Sequence, residues 1–93
     1  MNKCPVCGYS GLYEPAYSST GKPSFEICAS CGTEFGYDDA KNGAETLREK
    51  WIAKGMTWHF SHRGPPPNWN PARQLKELNS ETVASRAESP QIL

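Results

Sequence analysis

Two patterns of apolar and polar positions divide this chain. Up to Tyr37, apolar residues come in short groups broken by turn formers; after Asp38-Asp39 they recur at helical spacing. Tyr9 to Tyr17 and Ser24 to Ile27 read as two short strands, joined by the polar run Ser18-Ser19-Thr20-Gly21-Lys22-Pro23, which holds the residues a hairpin connection needs. Tyr13, Phe25, Ile27, Phe35 and Tyr37 are many large apolar side chains for so short a stretch, and they are expected to form a small core. Further on, Ala44, Leu47 and Trp51 share one helical face, with Trp51 as the expected core anchor. Asn42 and Glu45 have capping-box spacing, with Asn42 in the cap place, and Gly55 sits where a left-handed glycine ends a helix.

From Met56 to Asn70 the pattern is neither helix nor strand. Pro65, Pro66 and Pro67 forbid helix and favour an extended polyproline path along the surface. Trp58, Phe60 and Trp69 flank that path and are expected to strap it to the body, in preference to forming an exposed docking surface. Asn70-Pro71 then supplies a cap and a first-turn proline for a short helix, expected to end near Asn79, with Leu75 and Leu78 as its apolar contact. Residues 80–93 are small and polar with no aromatic, and are expected to be a flexible tail. The organisation expected is one domain over 1–79, with a front part at 1–40 and a helical, Pro-rich extension at 41–79.

Composition changes this picture in one respect. With 93 residues, 37% of them hydrophobic, the chain has a thin core and needs a further staple. Four cysteines supply it, in Cys4-Pro5-Val6-Cys7-Gly8 and Cys28-Ala29-Ser30-Cys31-Gly32. Each C-x2-C pair can put two sulfurs on one ion, and the twenty residues between Cys7 and Cys28 lie at the upper end of two-knuckle zinc spacing. The glycine after each second cysteine can turn at positive φ and aim backbone amides at the thiolates. Soft thiolates suit zinc, with iron second, and a closed four-sulfur shell on zinc leaves no position for water or substrate.

Two disulfides or a redox-active pair are the alternatives. No βαβ context surrounds either pair, and Met1-Asn2-Lys3 leads straight into the first knuckle with no secretory signal, so a reduced, cytoplasmic setting is expected. Without metal the front half should unfold. No apolar run approaches the roughly 20 residues that span a bilayer, so no membrane association is expected.

Charge is balanced overall but not along the chain. Residues 1–40 carry two lysines against five acids, a balance of −3. Residues 41–76 carry Lys41, Arg48, Lys50, Lys54, Arg63, Arg73 and Lys76 against Glu45 and Glu49, a balance of +5. Such a dipolar chain can offer a basic face to nucleic acid or to an acidic protein. His59 and His62 stand closer together than the histidine pairs of zinc fingers, and no further cysteine or carboxylate pair completes a second shell with them. No nucleophile elbow, phosphate loop or HExxH is present, and no enzymatic role is expected.

Residues 4–39 read Cys-Pro-x-Cys-Gly-Tyr, Phe25-Glu26-Ile27-Cys28 and Cys31-Gly32-x-Glu34-Phe35-Gly36-Tyr37-Asp38-Asp39. This front half resembles the small bacterial cysteine-rich CPCC-type proteins, a zinc-ribbon or rubredoxin-like group, although the chain has CPVC and CASC where that group's namesake run is CPCC. The resemblance implies a metal-holding module of a bacterial cytoplasm, with Cys4, Cys7, Cys28 and Cys31 as ligands. Cys4-Pro5-Val6-Cys7-Gly8-Tyr9, Tyr13 and Gly21-x-Pro23 also resemble the front of rubredoxin, which implies one iron and electron transfer; the shorter interval between knuckles and the extension after residue 40 depart from it.

The fold class expected is a small α+β metal-bound domain: a two-knuckle β-hairpin of zinc-ribbon or rubredoxin-like type, an amphipathic helix, an extended Pro-rich segment and a short C-terminal helix. The function expected is a structural-zinc protein acting as a protein–protein interaction module, with an immunity or antitoxin role against a bacterial toxin as one concrete form. A nucleic-acid-binding zinc ribbon using the basic 41–76 region, and a rubredoxin-like iron carrier, are the alternatives.

Overall fold

The knuckles organise the front half, each as a tight turn closed by its own backbone pairing. In this computed structural model, which describes residues 1–78, Asn2 and Leu12 exchange both amide bonds (2.9 and 3.0 Å) around the first knuckle. The second is closed by an Ile27–Glu34 bridge, with Cys28 N–H donating to Thr33 O at 2.9 Å. A third bridge, Tyr17 to Pro23, closes the polar turn between the knuckles.

The expected hairpin is therefore only partly present. Among the described residues, pairing between 9–17 and 24–27 stops after the Tyr17–Pro23 bridge and the Ser24 N–H to Ala16 O bond (2.9 Å). Sequence chemistry explains the stop. Pro15 and Pro23 have no N–H to donate. Phe25 turns the chain at φ 61°, outside the extended region. The Tyr13 and Glu14 amides, which a ladder would use, donate instead to the Glu26 carboxylate at 3.0 and 3.2 Å.

The small core is also differently composed. Of the five side chains expected in it, Phe35 alone is buried; Tyr13, Phe25, Ile27 and Tyr37 are exposed. The interior is built from Val6, Leu12, Ala16, Phe35, Trp51 and cysteines 4, 7 and 28. The sulfurs occupy the centre, Val6, Leu12, Ala16, Phe35 and Trp51 fill the space around them, and Tyr13, Phe25, Ile27 and Tyr37 are left outside.

Among the described residues, three helices follow. A short α1, Asp38–Lys41, precedes the expected amphipathic helix and changes its start. Asn42 closes α1, its N–H bonding to Asp38 O, and Gly43 takes the cap position of α2, Ala44–Ala53, with no side-chain cap bond. At the other end the expectation holds in detail. Gly55 lies at φ 96° and donates to Ile52 O (2.9 Å), while Met56 donates to Trp51 O (2.9 Å), the paired bonds of a Schellman ending. Trp51 is buried, and its indole N–H reaches Thr57 O at 3.0 Å.

The third helix, α3 over residues 71–78, begins as expected: Asn70 Oδ1 accepts from Arg73 N–H at 3.0 Å, and Pro71 stands at the first helical position. Its expected end at Asn79 and the expected tail at 80–93 lie outside the described residues. Between α2 and α3 the Pro-rich segment is strapped at both ends. Trp58 stacks edge-on against Tyr9 (5.4 Å) and Trp69 (5.2 Å), and its N–H donates to Arg63 O at 2.6 Å. Among the described residues no helix is long and apolar enough to cross a membrane.

Candidate metal centre

Each cysteine pair sits in the same local turn. Gly8 N–H donates to Cys4 O at 2.9 Å, and Gly32 N–H donates to Cys28 O at 2.8 Å, with the two glycines at φ 87° and 83°. Such a turn holds the two sulfurs of a pair on one side of the loop. Bringing the two loops face to face places all four ligand atoms within 4.8 Å of one another. Cys4, Cys7 and Cys28 are fully buried and Cys31 is half-buried.

The short sulfur contacts run between the knuckles: 3.8 Å from Cys4 to Cys31 and 3.7 Å from Cys7 to Cys28. Sulfurs at the corners of a tetrahedron with bonds of about 2.3 Å stand about 3.8 Å apart, so this spacing fits one shared ion. A disulfide requires about 2.05 Å, and all four thiols are free. The spacing therefore selects the shared-ion arrangement over two disulfides. It sets the number of ligands without choosing between zinc and iron, which four thiolates accept alike.

The electrostatics point the same way. Hydrogen bonds shared with the sulfurs of Cys28, Cys31 and Cys7, and then burial, push Cys4 far above the ordinary thiol range. Cys28 is pushed up first by its bond to Cys31, and Cys31, which accepts from Cys28, Cys4 and Cys7, is pulled far down. Thiols bind a cation as thiolates, so ligation releases protons and weakens as pH falls. Val6 N–H donates to Cys4 Sγ at 3.4 Å, and the Thr33 hydroxyl shares a 3.3 Å hydrogen bond with Cys31 Sγ.

Residues after 40 wrap this centre, a feature with no local signal in the sequence. From α2, Arg48 donates to the carbonyls of Val6 (2.8 Å) and Pro5 (2.9 Å), holding the first knuckle. His59 N–H donates to Ala29 O and Ser30 O at 3.0 and 3.1 Å, and Phe60 N–H also reaches Ala29 O, holding the second. Gln74 of α3 joins the two: its Nε2 donates to Cys7 O and to Ser30 Oγ, both at 3.1 Å, and its Oε1 accepts from Trp69 Nε1 at 2.8 Å. The knuckle glycines allow this approach. A Cβ on Gly8 would lie 2.5 Å from Gln74 O, and one on Gly32 would lie 2.6 Å from His59 Nδ1.

Among the described residues the four cysteines form the one cluster able to hold a metal ion. His59 packs on Gly32, and His62 stacks on Phe60 at 4.9 Å. His59 thus stands beside the second knuckle and His62 is exposed against Phe60, and among the described residues neither belongs to a cluster able to hold a metal ion.

A relative shares part of this chain. It is similar, at 46% identity over 69 residues, to a protein of Bacillus subtilis (strain 168) described as "Uncharacterized protein YoaQ". The match takes in 57% of this chain and 58% of that protein, so the chain spans little more than half the length of the relative. No family profile matches the chain. No solved structure matches it.

Proposed function

We propose that this is a structural-zinc protein of the CPCC-like type, in which Cys4, Cys7, Cys28 and Cys31 close a four-thiolate shell and the domain built on it serves as a protein-interaction module. The observation that carries the reading is the convergence of four sulfurs at tetrahedral spacing, three of them fully buried. A zinc shell of that kind has no vacancy for substrate, so the ion's contribution is to folding. Arg48 and Gln74 support this: they tie elements distant in sequence to the knuckle backbone, which makes the metal the centre of the domain. Binding and inhibiting a bacterial toxin, as an immunity or antitoxin protein does, is one form such a module can take.

The nucleic-acid alternative draws on the seven basic groups of residues 41–76. Arg48 is committed to knuckle carbonyls and Arg63 to Tyr13 and Phe60, which leaves a smaller basic set than the sequence suggests. Metal content tests the main reading. Protein purified from its own host is expected to hold one zinc per chain and to be colourless. Iron at one per chain, with red colour, would move the assignment to electron transfer.

A further inference from the structure

The four sulfur ligands are not equally sheltered. Cys4, Cys7 and Cys28 are fully buried, while Cys31 is half-buried and lines a surface cavity of about 150 Å³ beside α2. The wrapping accounts for the difference. Arg48 lies on the carbonyls of Pro5 and Val6, Gln74 on Cys7 O and Ser30 Oγ, and His59 on the Ala29 and Ser30 carbonyls. On the Cys31 side α2 contributes Leu47, Lys50 and Lys54 to the cavity wall and leaves the space open. A small solute arriving from solvent therefore meets the sulfur shell first at Cys31.

Two further observations fit that position to oxidation. Lys50 and Lys54, both exposed, line the cavity against one carboxylate, Asp38, which accepts the Glu34 N–H at 2.8 Å. Reactive cysteines are those that combine partial exposure with nearby cations, and an ammonium group favours the anion that a peroxide expels. The second observation is the partner sulfur. Cys31 Sγ stands 3.8 Å from Cys4 Sγ, across the two knuckles, so a buried thiol lies in contact with the position that oxidant reaches. Such a neighbour converts a sulfenic acid to a disulfide before irreversible oxidation can follow.

We propose that Cys31 is a modification site, at which hydrogen peroxide or an organic hydroperoxide oxidises the sulfur shell, with Cys4 as the resolving thiol. The Cys31 sulfur attacks one peroxide oxygen: an S–O bond forms, the O–O bond breaks, hydroxide or alkoxide leaves, and the sulfur gives up two electrons to become a sulfenic acid. The Cys4 thiolate then attacks the Cys31 sulfur, forming the S–S bond and expelling hydroxide, which takes a proton from solvent. Each knuckle loses one ligand, and Cys7 with Cys28 alone cannot close a four-thiolate shell. Oxidation at Cys31 thus opens the centre on which the domain is built. The inference rests on the structural-zinc reading and adds a chemical control to it.

The test treats the zinc-loaded full chain with limiting hydrogen peroxide, with and without dimedone to trap sulfenic acid. Remaining thiols are then alkylated and every cysteine is mapped by tandem mass spectrometry. At early times the dimedone adduct is expected on Cys31 at roughly tenfold or more over any other cysteine. Without dimedone, a Cys4–Cys31 disulfide is expected, with one zinc released per disulfide and recovery on adding a dithiol and zinc. The unaltered chain carries this test, so nothing depends on whether a cysteine variant folds. The proposal is overturned by adducts spread evenly over the four cysteines, by first oxidation at another cysteine, by a first disulfide within one knuckle, or by thiols and zinc that survive millimolar peroxide. Any of these in a protein that holds zinc would remove this inference alone, whereas failure of the structural-zinc reading would appear separately as iron in the metal analysis.

Discussion

Two glycines with nearly the same backbone angle show how much the centre depends on close approach. Gly8 and Gly21 lie at φ 87° and 86°, yet a Cβ on Gly8 would meet Gln74 O at 2.5 Å, while one on Gly21 would meet nothing within 4 Å. The conformational cost of alanine is common to both sites, about 1–2 kcal/mol. Only at position 8 must a backbone carbonyl of α3 also move, and with it the Gln74 side chain that joins the knuckles. Gly8→Ala is therefore expected to cost more than about 3 kcal/mol, against about 1 kcal/mol for Gly21→Ala. Urea denaturation of the zinc-loaded variants measures the difference; equal losses would show that α3 does not bear on the first knuckle.

At the scale of elements, two asparagines that look alike in sequence have different positions in the fold. Asn70 caps α3 through its side chain, whereas Asn42 contributes a backbone N–H to the end of α1 and leaves α2 capped by Gly43. Asn70→Ala should cost about 1 kcal/mol and Asn42→Ala a few tenths at most, read as midpoint shifts in thermal melts. A larger loss at Asn42 would contradict the α1–α2 boundary. The same pair shows what a sequence can disclose. The cysteine pairs, the Gly55 ending and the Asn70-Pro71 start are local devices, each defined by residues a few positions apart, and all are found where expected. The outward rings were not legible, because whether Tyr13 and Phe25 face the core depends on the Glu26 carboxylate capturing two amides in place of a ladder. Nor was the hold of Gln74 on Cys7, 67 residues away, which only the finished fold brings together.

For the whole molecule, this wrapping changes what loss of the metal should do. Sequence reasoning confines unfolding to the front half, but α2 is short, with 10 residues, and α2 and the described part of α3 are both held to the centre. Isolated helices below about 12–15 residues are marginal in water, so α2 persists through packing. The anchors of both are the centre itself, through Arg48 on Pro5 and Val6, Trp51 against the buried cysteines, and Gln74 on Cys7 and Ser30. Removing the ion leaves four crowded sulfurs that favour separation once they ionise, and the knuckle carbonyls that Arg48 and Gln74 grip lose their fixed positions. All three tryptophans, 51, 58 and 69, lie in the back half and report on it directly. Titration with a strong chelator at neutral pH is therefore expected to release zinc, shift tryptophan emission to longer wavelength and abolish helical circular dichroism in one coincident transition, reversed by adding zinc. If zinc leaves while emission and helicity stay unchanged, residues 41–78 fold independently of the metal, and the ion stabilises the front half alone.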